Sequence, residues 1–297
     1  PFLYNQDKMG CCGEREVLAN SLFGAAVLFF YTISKGRERS MEYLQGNYRI
    51  SRILPGSMSD FTIDCPDIAA KARAGQFVHI RVPGFTLRRP ISICEVDREQ
   101  GSIRILFDVR GEGTRVMAQM EEGDLIDVMG PLGNGFALLE PQKKAVVVGG
   151  GIGVPPMLQT AKHYGSNATA ILGFRDKDKI VLTEDFERSG IRVMLATDDG
   201  SAGHHGLVTD LLKVRLEEEK PDIVYACGPK VMLKFVAKMC AEYNVRCQVS
   251  LEERMACGVG ACLGCATPIR RDDGSVTYLH VCKDGPVFEA ERVVFDD

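Results

Sequence analysis

The chain has no tryptophan, no long basic run and no decisive excess of either charge: 36 lysines and arginines stand against 40 aspartates and glutamates, a formal charge of -4. Without a basic stripe, nucleic acid is excluded as the main partner. The balance of 45% hydrophobic and 26% charged residues is that of a globular protein and excludes a disordered or fibrous chain. At 297 residues the chain is too long for one small module and has room for two or three domains.

Cysteine is plentiful, at 11, and its residues fall into two populations. Cys65, Cys94, Cys227, Cys240 and Cys247 are dispersed and mostly lie in apolar runs, whereas Cys257, Cys262, Cys265 and Cys282 crowd the C-terminal end. Disulfide frameworks belong to short secreted chains. A long enzyme-like chain with this pattern reads as cytoplasmic, and its clustered thiols ask for a metal.

Residues 1–40 stand apart. Val17 to Ser34 carries no charge and is followed by Lys35, Arg37 and Arg39, the pattern of a membrane helix or an uncleaved signal. The stretch is barely long enough, and Asn20, Ser21, Thr32 and Ser34 weaken it. The preferred reading is that the protein proper starts at Met41 and that the leader is translated upstream sequence, because everything after Met41 reads as one cytoplasmic protein.

Residues 41–140 predict an antiparallel β-barrel. Val78, Ile80 and Val82 alternate with His79 and Arg81, Ile103 to Val109 repeats the period, and Pro55-Gly56, Pro83-Gly84 and Gly130-Pro131 punctuate the region. Within it Arg89-Pro90-Ile91-Ser92 precedes Gly111-Glu112-Gly113-Thr114, which opens a helical pattern from Arg115 to Met120. A fixed arginine can pair with a pyrophosphate, a helix start offers the same anion free N–H groups, and the Ser92 hydroxyl can face a flavin ring. Alone, the tetrapeptide reads as an exposed arginine before an ordinary strand; the two segments together favour the cofactor. Asp124 and Asp127 read as solvated loop and strand residues.

These segments resemble the ferredoxin-reductase superfamily, whose barrel binds FAD through an Arg-x-x-Ser motif. The resemblance implies that Arg89, Pro90, Ile91 and Ser92 hold the flavin and its phosphates. It also implies that Gly113 and Thr114 meet the pyrophosphate and that Leu106, Phe107 and Asp108 pass along the cofactor.

Residues 141–248 change to β-branched runs alternating with helix-sized segments. Ala145 to Val148, Ala168 to Leu172, Ile191 to Ala196 and Ile223 to Cys227 predict the strands of a doubly wound parallel sheet, which the resemblance implies is the NAD-binding domain. The turn Gly149-Gly150-Gly151-Ile152-Gly153 leads into a helix near Pro155-Pro156. It is not a complete dinucleotide fingerprint, since Val154 stands where the last glycine belongs. It fits the superfamily's variant better; adjacent glycines after a valine strand point to a close ligand, a tight turn being the alternative. Thr197-Asp198-Asp199-Gly200 and Cys227-Gly228-Pro229 fall at strand ends, where open sheets bind ligands. The second segment is similar to the superfamily's stretch beside the nicotinamide. Asp198 or Asp199 either bonds a ribose or lies in a solvated turn. Arg175, Lys177 and Lys179 interleave with Asp176 and Asp178, which mildly favours NADH over NADPH, and His204 and His205 sit in a polar turn with no chemistry assigned.

Residues 249–297 carry Cys257, Cys262 and Cys265 in C-x4-C-x2-C spacing, with Cys282 more distant, the plant-type [2Fe–2S] pattern. Gly258, Gly260 and Gly264 let such a loop curl its N–H groups toward the thiolates. A zinc ribbon would use two C-x2-C knuckles, and the second is missing.

Ser250-Leu251-Glu252-Glu253-Arg254-Met255-Ala256-Cys257 and His280-Val281-Cys282-Lys283-Asp284-Gly285-Pro286 closely resemble the electron-transfer subunits of the NAD-dependent, two-subunit dihydroorotate dehydrogenases. The resemblance spans Met41 to Asp297 and implies a subunit of pyrimidine biosynthesis. It would pass electrons from an FMN-containing catalytic partner, in a heterotetramer, through [2Fe–2S] and FAD to NAD+. No catalytic nucleophile or general base is implied. The alternatives are the small subunit of another NAD(P)H:ferredoxin or sulfide-linked oxidoreductase, and a non-catalytic flavin and iron–sulfur sensing module.

Overall fold

The computed structural model describes residues 43–295, so both readings of residues 1–40 lie outside the described residues. Alternating apolar residues close the first part into a barrel. Its elements are β1 (Leu44–Leu54), β2 (Ser59–Asp64), α1 (Pro66–Lys71), β3 (Phe77–Arg81), β4 (Arg89–Asp97), β5 (Ser102–Phe107), α2 (Glu112–Met117) and β6 (Leu125–Leu132). The strands pair antiparallel in the order β1-β2-β5-β4-β3-β6 and close on themselves, which leaves no free edge. Ile50, Phe61, Ile63, Val78, Ile80, Ile105 and Phe107 fill the interior, with Ile68 and Ala69 of α1 packed into the same core.

The second part continues with β7 (Ala145–Gly150), α3 (Pro155–Tyr164), β8 (Ala168–Phe174), α4 (Thr183–Arg188), β9 (Arg192–Thr197), β10 (His204–His205), α5 (Val208–Glu218), β11 (Ile223–Cys227), α6 (Lys230–Glu242) and β12 (Arg246–Ser250). Helices cover both faces of this sheet. Ala145 and Val147 meet Met157 and Leu158 of α3 and Phe186 of α4. Val146 and Val148 meet Leu212 of α5 and Val236 of α6. A strand buried on both sides has no polar face to alternate, which is why β7 reads as an unbroken apolar run. His204 and His205 form a two-residue edge strand parallel to β9, where the sequence suggests only a turn.

The C-terminal segment folds as a hairpin of β13 (Ala266–Arg270) and β14 (Val276–His280), and then β15 (Val287–Glu289) adds antiparallel to β12. The sheet order is β10-β9-β8-β7-β11-β12-β15. The cysteine segment is thus stitched to the nucleotide sheet by main-chain hydrogen bonds. Asn134, just after the barrel, donates to the Asp284 carbonyl at 2.9 Å.

A buried ionic cluster joins barrel to sheet. Arg104 of β5 donates to Asp60 of β2 at 2.6 Å and to Asp185 of α4 at 2.8 Å. Burial opposes its charge, but the hydrogen bonds to Asp60 and Asp185 more than offset this and hold Arg104 above its ordinary range. Lys162 of α3 pairs with Glu95 of β4 alongside. Among the described residues no helix is long and apolar enough to cross a membrane.

Two features correct the sequence reading. Asp127 is not merely solvated, since it pairs with Arg88 at 2.9 Å. His79, which the alternation places with Arg81 on the face opposite Val78 and Ile80, is completely buried because the C-terminal segment covers that face of β3.

Candidate functional site

A cleft of about 240 Å³ opens where barrel, sheet and cysteine segment meet. The barrel contributes Arg89, Pro90, Ile91, Ser92, Leu106, Phe107, Asp108 and Thr114, the sheet Ile152 and Cys227, and the C-terminal segment Met255 and Pro286. Strand β4 begins at Arg89, so the Arg-Pro-Ile-Ser tetrapeptide runs along one wall.

Arg89 is held in place on three sides. It donates to the Leu87 carbonyl at 2.5 Å, stacks 5.0 Å from the Phe85 ring centre, and lies across the start of α2. A Cβ on Gly113 would stand 2.3 Å from its Nη2, so only glycine admits the guanidinium there. Thr114, the third residue of the helix, reaches back so that its hydroxyl accepts the Gly111 N–H at 3.1 Å and steadies the helix start. An anion at this point would meet the arginine and the backbone N–H groups of the helix start.

The glycine turn at the end of β7 is explained in large part by packing. A side chain on Gly149 would strike Val154, one on Gly150 would strike Met232, and one on Gly153 would stand 2.2 Å from the Cys227 carbonyl. Gly151 alone of the four faces open space, with a left-handed φ of +53°. The turn is pressed against Cys227-Gly228-Pro229, and both segments lie where the sheet order reverses around β7. Burial pushes the Cys227 thiol up to about 12, which favours its neutral form at neutral pH. Of the two acids after β9, Asp199 accepts the Ser201 N–H at 2.9 Å and braces the turn, leaving exposed Asp198 as the ribose candidate. Gly149, Gly150, Gly151, Gly153, Gly228, Pro229 and Asp198 do not line the cleft.

The four clustered thiols come together as two pairs. Cys257 and Cys262 lie within hydrogen-bonding reach of each other, as do Cys265 and Cys282. Among the described residues no group of three His, Cys, Asp or Glu side chains converges to hold one ion. Two pairs of thiols suit a dinuclear centre with two ligands per iron better than a single tetrahedral ion. The Ala261 N–H reaches the Cys257 sulfur at 3.2 Å, and the Gly260 N–H reaches the Cys282 sulfur at 3.1 Å. Burial raises the Cys257 thiol, but the Val259 and Ala261 N–H groups and neighbouring Cys262 more than offset it and bring it down to about 7. Burial and Cys265 push Cys282 up. The loop glycines Gly258 and Gly260 adopt φ of +73° and +78°, which turns successive N–H groups toward sulfur. The donor set therefore fits a [2Fe–2S] cluster.

Sequence reasoning missed Phe77, Arg110, Ser250, Met255 and Pro286 as cleft residues. They come from four separate stretches of chain, and the motifs that hold Ser250, Met255 and Pro286 mark the cysteine segment without indicating that it folds against the flavin strand. It also missed His79, whose two ring nitrogens are buried with no hydrogen-bond partner. An unpaired buried polar group costs about 1–3 kcal/mol.

A flavin-type barrel abutting a doubly wound sheet defines a ferredoxin-reductase-like oxidoreductase. A solved structure of an NADH-dependent reduced ferredoxin-NADP oxidoreductase, described for flavin-based electron bifurcation, matches with a TM-score of 0.74 at 33% identity, over 84% of this chain and 90% of that one. The ferredoxin reductase in carbazole 1,9a-dioxygenase shares the fold, with a TM-score of 0.60 at 16% identity over 70% and 68% of the two chains. Residues 147–238 match the oxidoreductase NAD-binding domain, and residues 252–294 match the iron-sulfur cluster binding domain of dihydroorotate dehydrogenase B. The electron transfer subunit of dihydroorotate dehydrogenase B (NAD(+)) from Caldanaerobacter subterraneus is 48% identical over 76% of this chain and 88% of its own. That of Geobacillus kaustophilus is 41% identical over 87% and 99%. The chain belongs to this family of electron transfer subunits.

Proposed function

We propose that the chain carries electrons from a dihydroorotate-oxidising, FMN-containing partner subunit through a [2Fe–2S] cluster and FAD to NAD+, in pyrimidine biosynthesis. The observation that carries this reading is the composition of one cleft. Flavin-motif residues of the barrel, Cys227 of the nucleotide sheet and Met255 beside the cluster loop all line it. A flavin seated there has the nicotinamide side on one flank and the thiolate loop on the other.

When bound, the cluster passes single electrons and FAD exchanges two with NAD+ as hydride. The protein's own part is placement. Arg89 and the N–H groups at Gly113 and Thr114 hold the pyrophosphate, Ser92 faces the flavin ring, and Ile91, Leu106, Phe107 and Asp108 wall it. Gly151 and Ile152, with Cys227-Gly228-Pro229, give the nicotinamide a close backbone floor, and Asp198 bonds a ribose. No side chain is needed as nucleophile or base. The division into residues 41–140, 141–248 and 249–297 follows the three cofactors. Buried free thiols at Cys65, Cys94, Cys240 and Cys247 support a reducing, cytoplasmic setting. The partner is an FMN-bearing catalytic subunit in a heterotetramer, and it meets the face that exposes Leu263 at 79% and Tyr278 at 70%.

An anaerobic NADH titration of the protein tests the reading, with flavin bleaching followed by absorbance and the reduced cluster by EPR. Reduction of both centres is expected. A bound flavin that NADH leaves oxidised would refute the NADH-linked route.

A further inference from the structure

His79 is a buried polar side chain that the flavin and nicotinamide sites leave unexplained. On β3 it stands directly opposite Pro90 of the flavin strand, is 0% exposed, and has no hydrogen-bond partner at either ring nitrogen. A Cβ on Gly258 would stand 2.4 Å from its Nδ1, so the ring edge lies against the cluster loop one residue past Cys257. The imidazole thus lies between the cluster loop and β3, the strand that pairs with the flavin-motif strand β4. Arg88 fixes the backbone beneath it, donating to the His79 carbonyl at 3.0 Å while paired with Asp127.

Packing alone does not account for this residue. Val78 and Ile80, its neighbours on β3, fill their sites with aliphatic side chains, and an aliphatic residue at 79 would bury no unsatisfied donor. An imidazole keeps at least one ring N–H to donate in either protonation state. The backbone of Arg88 and that of Cys257 both face the ring closely enough to act on it, and only Cys257 belongs to the cluster loop.

Resting on the assignment of the four cysteines as iron–sulfur ligands, we propose that His79 is a positioning residue for the cluster. Its ring N–H, given to the Cys257–Gly258 segment, ties the thiolate loop to β3, beside the flavin strand, and offsets negative charge at that end of the centre. Hydrogen bonding around thiolate ligands sets the reduction potential, because the reduced centre carries one more negative charge than the oxidised one. A fixed donor from β3 therefore favours the reduced form.

The test is an EPR-monitored redox titration of the full chain, purified anaerobically with FAD bound. His79→Leu removes both ring nitrogens at comparable bulk, and His79→Asn restores an amide N–H near the position of Nδ1. The expected result for His79→Leu is a tenfold weaker reduction of the cluster, ~59 mV lower for one electron, with His79→Asn returning to the wild-type potential. Cluster loss in His79→Leu alone, with His79→Asn loaded and at the wild-type potential, supports the proposal equally. Equal potentials in all three proteins overturn it, as does an equal shift or loss in both variants. A wild-type protein with no [2Fe–2S] signal overturns the cysteine assignment itself, a failure distinct from unchanged potentials in loaded protein.

Discussion

Arg89 is the residue on which the proposed flavin site depends most, and the Leu87 carbonyl, the Phe85 ring and Gly113 leave its guanidinium little freedom. Preorganised in this way, it loses little entropy when an anion arrives. Arg89→Ala is expected to remove about 1.5–3 kcal/mol of charge-assisted bonding. FAD affinity should fall roughly 10- to 100-fold, read by fluorescence titration of the apoprotein with flavin. Unchanged affinity would place the pyrophosphate elsewhere. At this scale the sequence is legible where chemistry imposes spacing, as in the four cysteines and the Arg-x-x-Ser tetrapeptide. It is not legible where a role depends on a distant partner: nothing near Asp127 announces Arg88, and two adjacent aspartates look alike until Ser201 braces Asp199.

Elements are held in register by a few contacts between domains. Arg104 of β5 ties Asp60 of the barrel to Asp185 of α4, with Glu95 at 3.6 Å. Its replacement leaves several carboxylates facing one another in a largely buried site. Arg104→Met should destabilise the protein by about 3–5 kcal/mol, measured by urea unfolding. A cost near zero would mean that barrel and sheet are held by apolar packing alone. The strands of the sheet were legible because burial on both faces leaves unbroken apolar runs at Ala145–Val148 and Ile223–Cys227. The pairing of β15 with β12 was not, since main-chain hydrogen bonds between distant segments leave little mark on composition.

The whole molecule presents its cysteine segment outward. Tyr278, 70% exposed on β14, and Leu263, 79% exposed between Cys262 and Cys265, are large apolar groups on the segment that carries the clustered cysteines. An exposed aromatic of this kind is a candidate anchor for a partner. Tyr278→Asp should leave the stability of the isolated chain within about 0.5 kcal/mol and weaken binding of the catalytic subunit roughly tenfold or more, measured by calorimetry on the purified subunits. Unaltered affinity would move the interface off this hairpin.

Local periodicity along the chain carries the fold class and the order of barrel, sheet and cysteine segment, ligand spacing carries the iron–sulfur chemistry, and motif resemblance carries FAD and NAD. Which residues share a cleft, which of two aspartates braces its turn, and that His79 lies buried beneath Gly258 emerge only once the chain is folded. These properties are distances between groups far apart in sequence, fixed when the C-terminal segment folds back across the barrel and lends β15 to the sheet.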